Sequence, residues 1–266
     1  MSFRFFSPHD DPGPDFTALL RAAGHVPAST GDGDVTLDLP HGTTCVAIRY
    51  ADGVVIGGDR RATAGHHISH RTIEKVFPAD RHSGVAIAGA AGPALEMVKL
   101  FQLQLEHYEK VEGKPLSLEG KANQLSQMLR QNLPAAMQGM AVVPIFAGYD
   151  LRRDNGRLFQ YDVTGGRYEE RLYATTGSGS LHATTVIKLG YTEGHGRDAA
   201  VALAANALYE AADEDAATGG PDPVRQVYPI IATITADGFD RLGQDEVAGL
   251  FDAVTDDRRR LATGQD

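Results

Sequence analysis

The stretch from His41 to Thr63 reads HGTTCVAIRYADGVVIGGDRRAT, and the fold is decided there. Thr44–Tyr50 is rich in β-branched and aromatic residues, Ala51-Asp52-Gly53 is a turn signal, and Val54–Gly58 is a second β-rich run. Glycine tolerates the positive φ of a tight turn, so the pattern predicts an antiparallel hairpin. Upstream the texture differs. Residues 1–42 carry Asp10, Asp11, Asp15, Asp32, Asp34 and Asp38 against only Arg4 and Arg21, with no lysine and with recurrent Pro and Gly. Their one helical pattern is short, at Phe16–Ala23. Such a segment buries too little apolar surface to offset the entropy of ordering it. It reads either as a disordered N-terminal tail or as a removable segment in front of a domain spanning 43–266.

Downstream, strands are predicted at Arg71–Phe77 and Gly84–Ala88, with Pro78 and Asp80 breaking the chain between them. Two helices follow. In Pro93–Val111 the apolar residues Leu95, Val98, Phe101, Leu105 and Tyr108 recur at spacings of three and four. In Leu118–Met137 the stripe is Leu118, Ala122, Leu125, Leu129 and Leu133, with Ser117 as N-cap and Pro134 near the end. Strands resume at Ala141–Tyr149, Gly156–Val163 and Tyr168–Thr175, with a hairpin turn at Asp154-Asn155-Gly156. Helices are expected at Ser180–Lys188 and Arg197–Ala212, a loop at Gly219–Pro223, a strand at Gln226–Ile234, a turn at Asp237-Gly238 and a last helix at Asp245–Ala253. Hairpin-joined strands imply antiparallel sheets, and helices arriving in pairs are expected to cover sheet faces as layers.

Composition narrows the function classes. The chain of 266 residues has one cysteine, Cys45, so neither an internal disulfide nor a four-thiolate metal site can form. A formal net charge of −10 argues against nucleic-acid and anionic-membrane partners, which need Lys/Arg clusters to meet phosphate. No apolar run approaches the roughly 18–20 residues of a membrane helix, and the start lacks the apolar core of a secretory signal. A cytoplasmic protein is the resulting expectation. There is no Walker A loop, and Gly177-Ser178-Gly179-Ser180 completes neither a dinucleotide fingerprint nor a Gly-x-Ser-x-Gly elbow. His66, His67 and His70 lie close together, but a metal site there would need an acidic or fourth ligand and a defined geometry, so a solvated loop is expected rather than a metal site. No metal and no organic cofactor are called for.

The informative junction is Gly42-Thr43-Thr44. A threonine hydroxyl is a weak nucleophile and needs an adjacent base. If the Gly42–Thr43 bond is cut, Thr43 gains a free α-amine, whose unperturbed pKa near ~7.7–8 lets it accept a proton within the same residue. By itself the junction is equally compatible with Thr43 as an ordinary β-branched strand residue.

Five further pieces stand in order behind it. Asp59 lies in Gly57-Gly58-Asp59-Arg60-Arg61-Ala62-Thr63, and Lys75 in Ile73-Glu74-Lys75-Val76. Gly89 lies in Ala86-Ile87-Ala88-Gly89-Ala90-Ala91-Gly92, and Gly177-Ser178-Gly179-Ser180 is followed by Asp215-Ala216-Ala217-Thr218-Gly219-Gly220-Pro221-Asp222. Taken singly, Asp59 could be a turn acid beside Arg60 or Arg61, Lys75 a solvated lysine, and Asp215 a helix-end charge. As an ordered set, together with Leu105–Gly113, they resemble the proteasome β subunits of actinobacteria, within the N-terminal-nucleophile hydrolases. The resemblance covers residues 41–250.

It implies an α+β fold, a four-layer αββα sandwich of two antiparallel sheets, and a precursor whose residues 1–42 are removed by self-cleavage between Gly42 and Thr43. Thr43 would be the nucleophile of a threonine-type endopeptidase. Asp59 and Lys75 would form a charge pair beside it, and Ser178 and Asp215 a hydrogen-bond network around its amine, with Thr218 where many members have serine. The Gly89 N–H would be the oxyanion donor, and Thr63 and Ala91 would pair with the substrate backbone. Ala62, Ile73, Ile87, Ala91 and Leu95 match positions lining the family's primary pocket, an apolar set without countercharge. The implied partners are proteasome α subunits, homo-heptameric β rings stacked in a barrel, a ring-shaped ATPase activator and substrates tagged by a ubiquitin-like protein. A bacterial two-component ATP-dependent protease subunit and a catalytically silent ring subunit are the alternatives.

Overall fold

The computed structural model describes residues 42–264. The acidic head up to His41, with its expected helix at Phe16–Ala23, lies outside the described residues. In chain order the elements are β1 (Thr44–Tyr50), β2 (Gly53–Gly58), β3 (Ala62–Ala64), β4 (His67–His70), β5 (Val76–Asp80), β6 (Ser83–Gly89), α1 (Ala91–Glu112) and α2 (Leu118–Ala136). They continue as β7 (Val142–Asp150), β8 (Asn155–Tyr161), β9 (Arg167–Glu170), β10 (Tyr173–Gly177), α3 (Ser180–Gly190), α4 (Arg197–Glu214), β11 (Ile230–Thr235), β12 (Gly238–Arg241) and α5 (Gln244–Thr263). No helix among them is long and apolar enough to cross a membrane.

The opening hairpin pairs Cys45 with Gly58 and Tyr50 with Gly53. It forms the centre of a five-stranded antiparallel sheet ordered β10-β1-β2-β11-β12. A second antiparallel sheet runs β5-β6-β7-β8-β9. Strand alternation explains how the two sheets stack. On β1, Val46, Ile48 and Tyr50 pack under α3, α4 and α5, while Cys45 and Ala47 face the other sheet. On β6, Val85 and Ile87 pack under α1 and α2, while Ala86 faces inward. Both faces of each sheet are therefore covered, so the central strands read as continuous apolar runs. The three apolar clusters lie between helices and first sheet, between the sheets, and between second sheet and helices, giving four layers αββα.

The helix stripes fall as the spacing predicts. Met97, Val98, Phe101 and Leu105 of α1 are buried, and Ser117 caps α2 by accepting the Gly120 N–H at 3.1 Å. Five expectations change. The run Tyr168–Thr175 is two strands, β9 and β10, which belong to different sheets. The link Arg171-Leu172 carries the chain across, and Leu172 O already receives the Arg49 N–H at 2.8 Å. A composition favourable to strands does not reveal which sheet a residue joins. The strand expected over Arg71–Phe77 starts only at Val76. Ahead of it, Thr72 O and Ile73 N are bonded to Arg60 rather than to a neighbouring strand. Pro78, expected to break the chain, sits inside β5, an edge strand where a missing N–H costs least. His67 and His70 belong to the exposed hairpin strand β4 and not to a loop. The last helix runs to Thr263 instead of stopping at Ala253, through a charged turn laced by Asp256–Arg259 and Asp257–Arg260 pairs.

Candidate functional site

The start of β1 and the end of β2 place Thr43, Thr44 and Asp59 side by side, because Cys45 is paired with Gly58 and the Asp59 N–H bonds Thr44 O at 3.1 Å. Asp59 is fully buried, and its carboxylate is completely used. Oδ1 accepts the Thr44 N–H at 2.9 Å and Lys75 Nζ at 2.6 Å; Oδ2 accepts the N–H groups of Arg61 and Gly219, each at 2.8 Å. Four lone-pair sites meet four donors, so this buried charge is compensated. Lys75 arrives from the bonded segment ahead of β5. Its ammonium has three donors and three acceptors: Asp59 Oδ1, Arg61 O at 2.6 Å and Gly42 O at 3.4 Å.

Thr43 is 3% exposed. Its hydroxyl donates to Gly42 O at 2.6 Å, and its N–H, here part of the peptide bond to Gly42, donates to Ser178 Oγ at 3.2 Å. Ser178 in turn donates to Asp215 Oδ2, which also accepts the Thr218 hydroxyl at 2.6 Å. Ser178 follows β10, Asp215 closes α4, and β1 pairs with β10 through Thr44 opposite Gly177. Gly177 is required at that crossing. Its φ is +98°, and a Cβ would lie 2.0 Å from Thr43 O. Gly42 is equally confined, since a Cβ there would lie 1.8 Å from the Ala217 Cβ.

A cavity of about 230 Å³ opens beside Thr43. Ala62, Thr63, Ile73, Ile87, Gly89, Ala91 and Leu95 line it, as do Lys75 and Gly42. Gly89, at the end of β6, has φ +111°, and a Cβ would sit 2.1 Å from Ala141 O. The lining also includes Ser69, His70 and Glu74, which sequence reasoning left out. His70 reaches the rim because β4 folds back on β3, a hairpin with no Gly-rich turn signal strong enough to be read. Among the described residues no group of His, Cys, Asp or Glu is arranged to hold a metal. Cys45, two residues past Thr43, is an inert strand residue: burial pushes its thiol up to about 12, and its Sγ contacts Ile87 O at 3.5 Å.

This geometry joins a buried hydroxyl, a lysine–carboxylate pair, a serine–aspartate pair and an apolar cavity. A model of the family described as "Proteasome subunit" matches residues 39–224. The chain belongs to the proteasome family, as a β subunit. It is 57% identical over 262 residues to "Proteasome subunit beta" of Acidimicrobium ferrooxidans, covering 97% of this chain and 96% of that protein. It is 56% identical over 228 residues to "Proteasome subunit beta" of Streptomyces griseus subsp. griseus, covering 86% of this chain and 81% of that protein. Family membership makes the β subunit part of a protease and of a proteasome ring assembly. Two residues of the site carried no sequence signal of their own. Arg61 bonds the loop carbonyl of Ala216 at 2.9 Å and lends its own carbonyl to Lys75, and Gly219 supplies a backbone donor to Asp59. Backbone roles leave little trace in residue type.

Proposed function

We propose that this β subunit is a threonine-type endopeptidase, made as an inactive precursor and activated when it cleaves its own Gly42–Thr43 bond. The observation that carries the reading is the hydroxyl of Thr43 held at 2.6 Å on the oxygen of Gly42, with Lys75 Nζ on the same oxygen at 3.4 Å. In the precursor the Thr43 oxygen attacks the Gly42 carbonyl carbon, the hydroxyl proton passes to the Thr43 nitrogen as the C–N bond breaks, the acyl group is left on oxygen as an ester, and water hydrolyses it to the Gly42 carboxylate and the free hydroxyl. Residues 1–42 leave, and 43–266 remain as the catalytic domain.

The free amine of Thr43 then accepts the proton of its own hydroxyl. Lys75 favours alkoxide character on that oxygen, because a nearby ammonium stabilises developing negative charge. Asp59 holds Lys75 in place. Ser178 and Asp215 orient the amine, with Thr218 bonded to Asp215. The Gly89 N–H serves as oxyanion donor, a kind of group whose removal commonly costs about 10²–10³ in rate. Ala62, Ile73, Ile87, Ala91 and Leu95 receive an apolar side chain, and Thr63 and Ala91 bond the extended substrate. No cofactor enters. The assembly is a barrel of homo-heptameric β rings with α-subunit rings, in the cytoplasm, fed by a ring-shaped ATPase with substrates bearing a ubiquitin-like tag. The intact mass of the assembled protein tests the core of this reading. Loss of residues 1–42 together with peptide hydrolysis is expected, and an uncut, inactive chain after ring assembly overturns it.

A further inference from the structure

Thr44 follows the proposed nucleophile, and none of the roles above falls to it. It is fully buried. Its backbone belongs to the Asp59 side of the site, through its N–H on Asp59 Oδ1 and its carbonyl on the Asp59 N–H. Its side chain belongs to the other side: the hydroxyl lies 2.6 Å from Thr218 Oγ1. Gly179 closes the space around that oxygen, since a Cβ there would come within 2.3 Å of it.

The direction of the hydroxyl chain follows from counting protons. A hydroxyl has one to donate, and an ionised carboxylate only accepts. Thr218 gives its proton to Asp215 Oδ2 at 2.6 Å, so toward Thr44 it can only accept. Thr44 therefore donates to Thr218, Thr218 donates to Asp215, Ser178 donates to the same Oδ2, and Ser178 accepts the Thr43 N–H. We infer that the Thr44 hydroxyl is a positioning residue for the reaction: by polarising Thr218 and fixing the plane of the Asp215 carboxylate, it aims the Ser178 lone pair at the Thr43 nitrogen. It touches neither substrate nor reacting atoms. One residue thereby ties the Asp59–Lys75 half of the site to the Ser178–Asp215 half.

The inference rests on the proposed threonine chemistry, and the experiment separates the two. Wild type, Thr44→Val and Thr44→Ser are assembled, checked by intact mass for loss of the head, and assayed on a fluorogenic peptide with an apolar residue before the cut. A wild type that neither matures nor hydrolyses peptide overturns the proposed function, whatever Thr44 does. With an active wild type, Thr44→Val keeps the shape and loses the donor, so kcat is expected to fall about tenfold with KM changed less than about twofold. Thr44→Ser is expected to restore kcat to within about twofold of wild type. Thr44→Val at the wild-type rate, or Thr44→Ser as slow as Thr44→Val, overturns the inference. Should Thr44→Val fail to assemble, Thr218→Val and Thr218→Ser interrogate the same link from the other end, with the same loss and rescue expected. Thr218→Val at the wild-type rate overturns the inference equally.

Discussion

The Asp59–Lys75 pair and the cluster around Arg157 are both charges taken out of water, and they are built in opposite ways. Arg157 is a 4%-exposed guanidinium on β8, with Glu169 on Nε and Nη2, Glu119 on Nη2 and Asp150 on Nη1. Three carboxylates close round it, Arg167 joins through Glu119, and the Phe159 ring lies 5.0 Å below. Nothing reactive adjoins the cluster; it fastens the start of α2 to β7, β8 and β9. Lys75 has one carboxylate and two backbone carbonyls, and one of those carbonyls belongs to Gly42, beside a hydroxyl and a cavity. Burial of charge is common to both regions. What separates the two regions is that Lys75 sets its ammonium on a backbone carbonyl that also receives the Thr43 hydroxyl.

The comparison can be broken by experiment. The largest effect is expected at Thr43→Ala, which should abolish both removal of the head and peptide hydrolysis, read by intact mass and a fluorogenic assay. Lys75→Met should follow, lowering kcat by about 10²-fold or more, because it removes the cation beside the reacting oxygen and leaves Asp59 buried without its partner. Arg157→Met is the counterpart. It should leave kcat per assembled molecule near wild type while lowering stability by about 2–3 kcal/mol in denaturant unfolding, since Glu119 and Glu169 remain half in water and are rescued by solvent. A large kcat loss in Arg157→Met would erase the distinction between the regions.

Two smaller effects sharpen it. Hydrogen bonds from Arg157 hold Glu119 and Glu169 below the ordinary 4.5 of a glutamate. A carboxylate depressed in the folded state stabilises above its unfolded pKa, and that contribution is lost as pH falls through the folded value. Stability from this cluster should therefore be constant above about pH 5 and decline below ~4.5, with the decline weakened in Arg157→Met, read by melting temperature against pH. Smallest of all, Cys45, its thiol pushed up to about 12 by burial, should resist iodoacetamide at pH 8 in the native protein and react once it is unfolded, with activity unchanged by the treatment.

Much of the fold was legible along the chain. The β1–β2 hairpin declared itself by two β-rich runs around Ala51-Asp52-Gly53, and the α1 stripe by its three-and-four spacing. Where the chain leaves one sheet for the other, at Arg171-Leu172, no turn residue marks the event, because no Gly, Pro, Asn or Asp stands between Tyr168 and Thr175. The site divides in the same manner. Thr43, Asp59, Lys75, Ser178 and Asp215 were picked out by their order along the chain and by the family resemblance that this order carries. Arg61, Gly219 and Thr44 were not: the first two act in part or wholly through backbone groups, and the third through a hydroxyl whose partner lies 174 positions away.

The sequence by itself determined the alternation that builds two doubly covered sheets, the tight glycines, and an ordered set of chemically capable side chains. Only the tertiary structure decided which of these meet. Strand pairing brings Thr44 opposite Gly177 and Cys45 opposite Gly58, so residues separated by a hundred positions and more come within a hydrogen bond of Thr43. The physical reason is range. Turn preference and periodicity act over a few residues, whereas hydrogen bonds and charge act through space, and spatial neighbours exist only once the chain has folded.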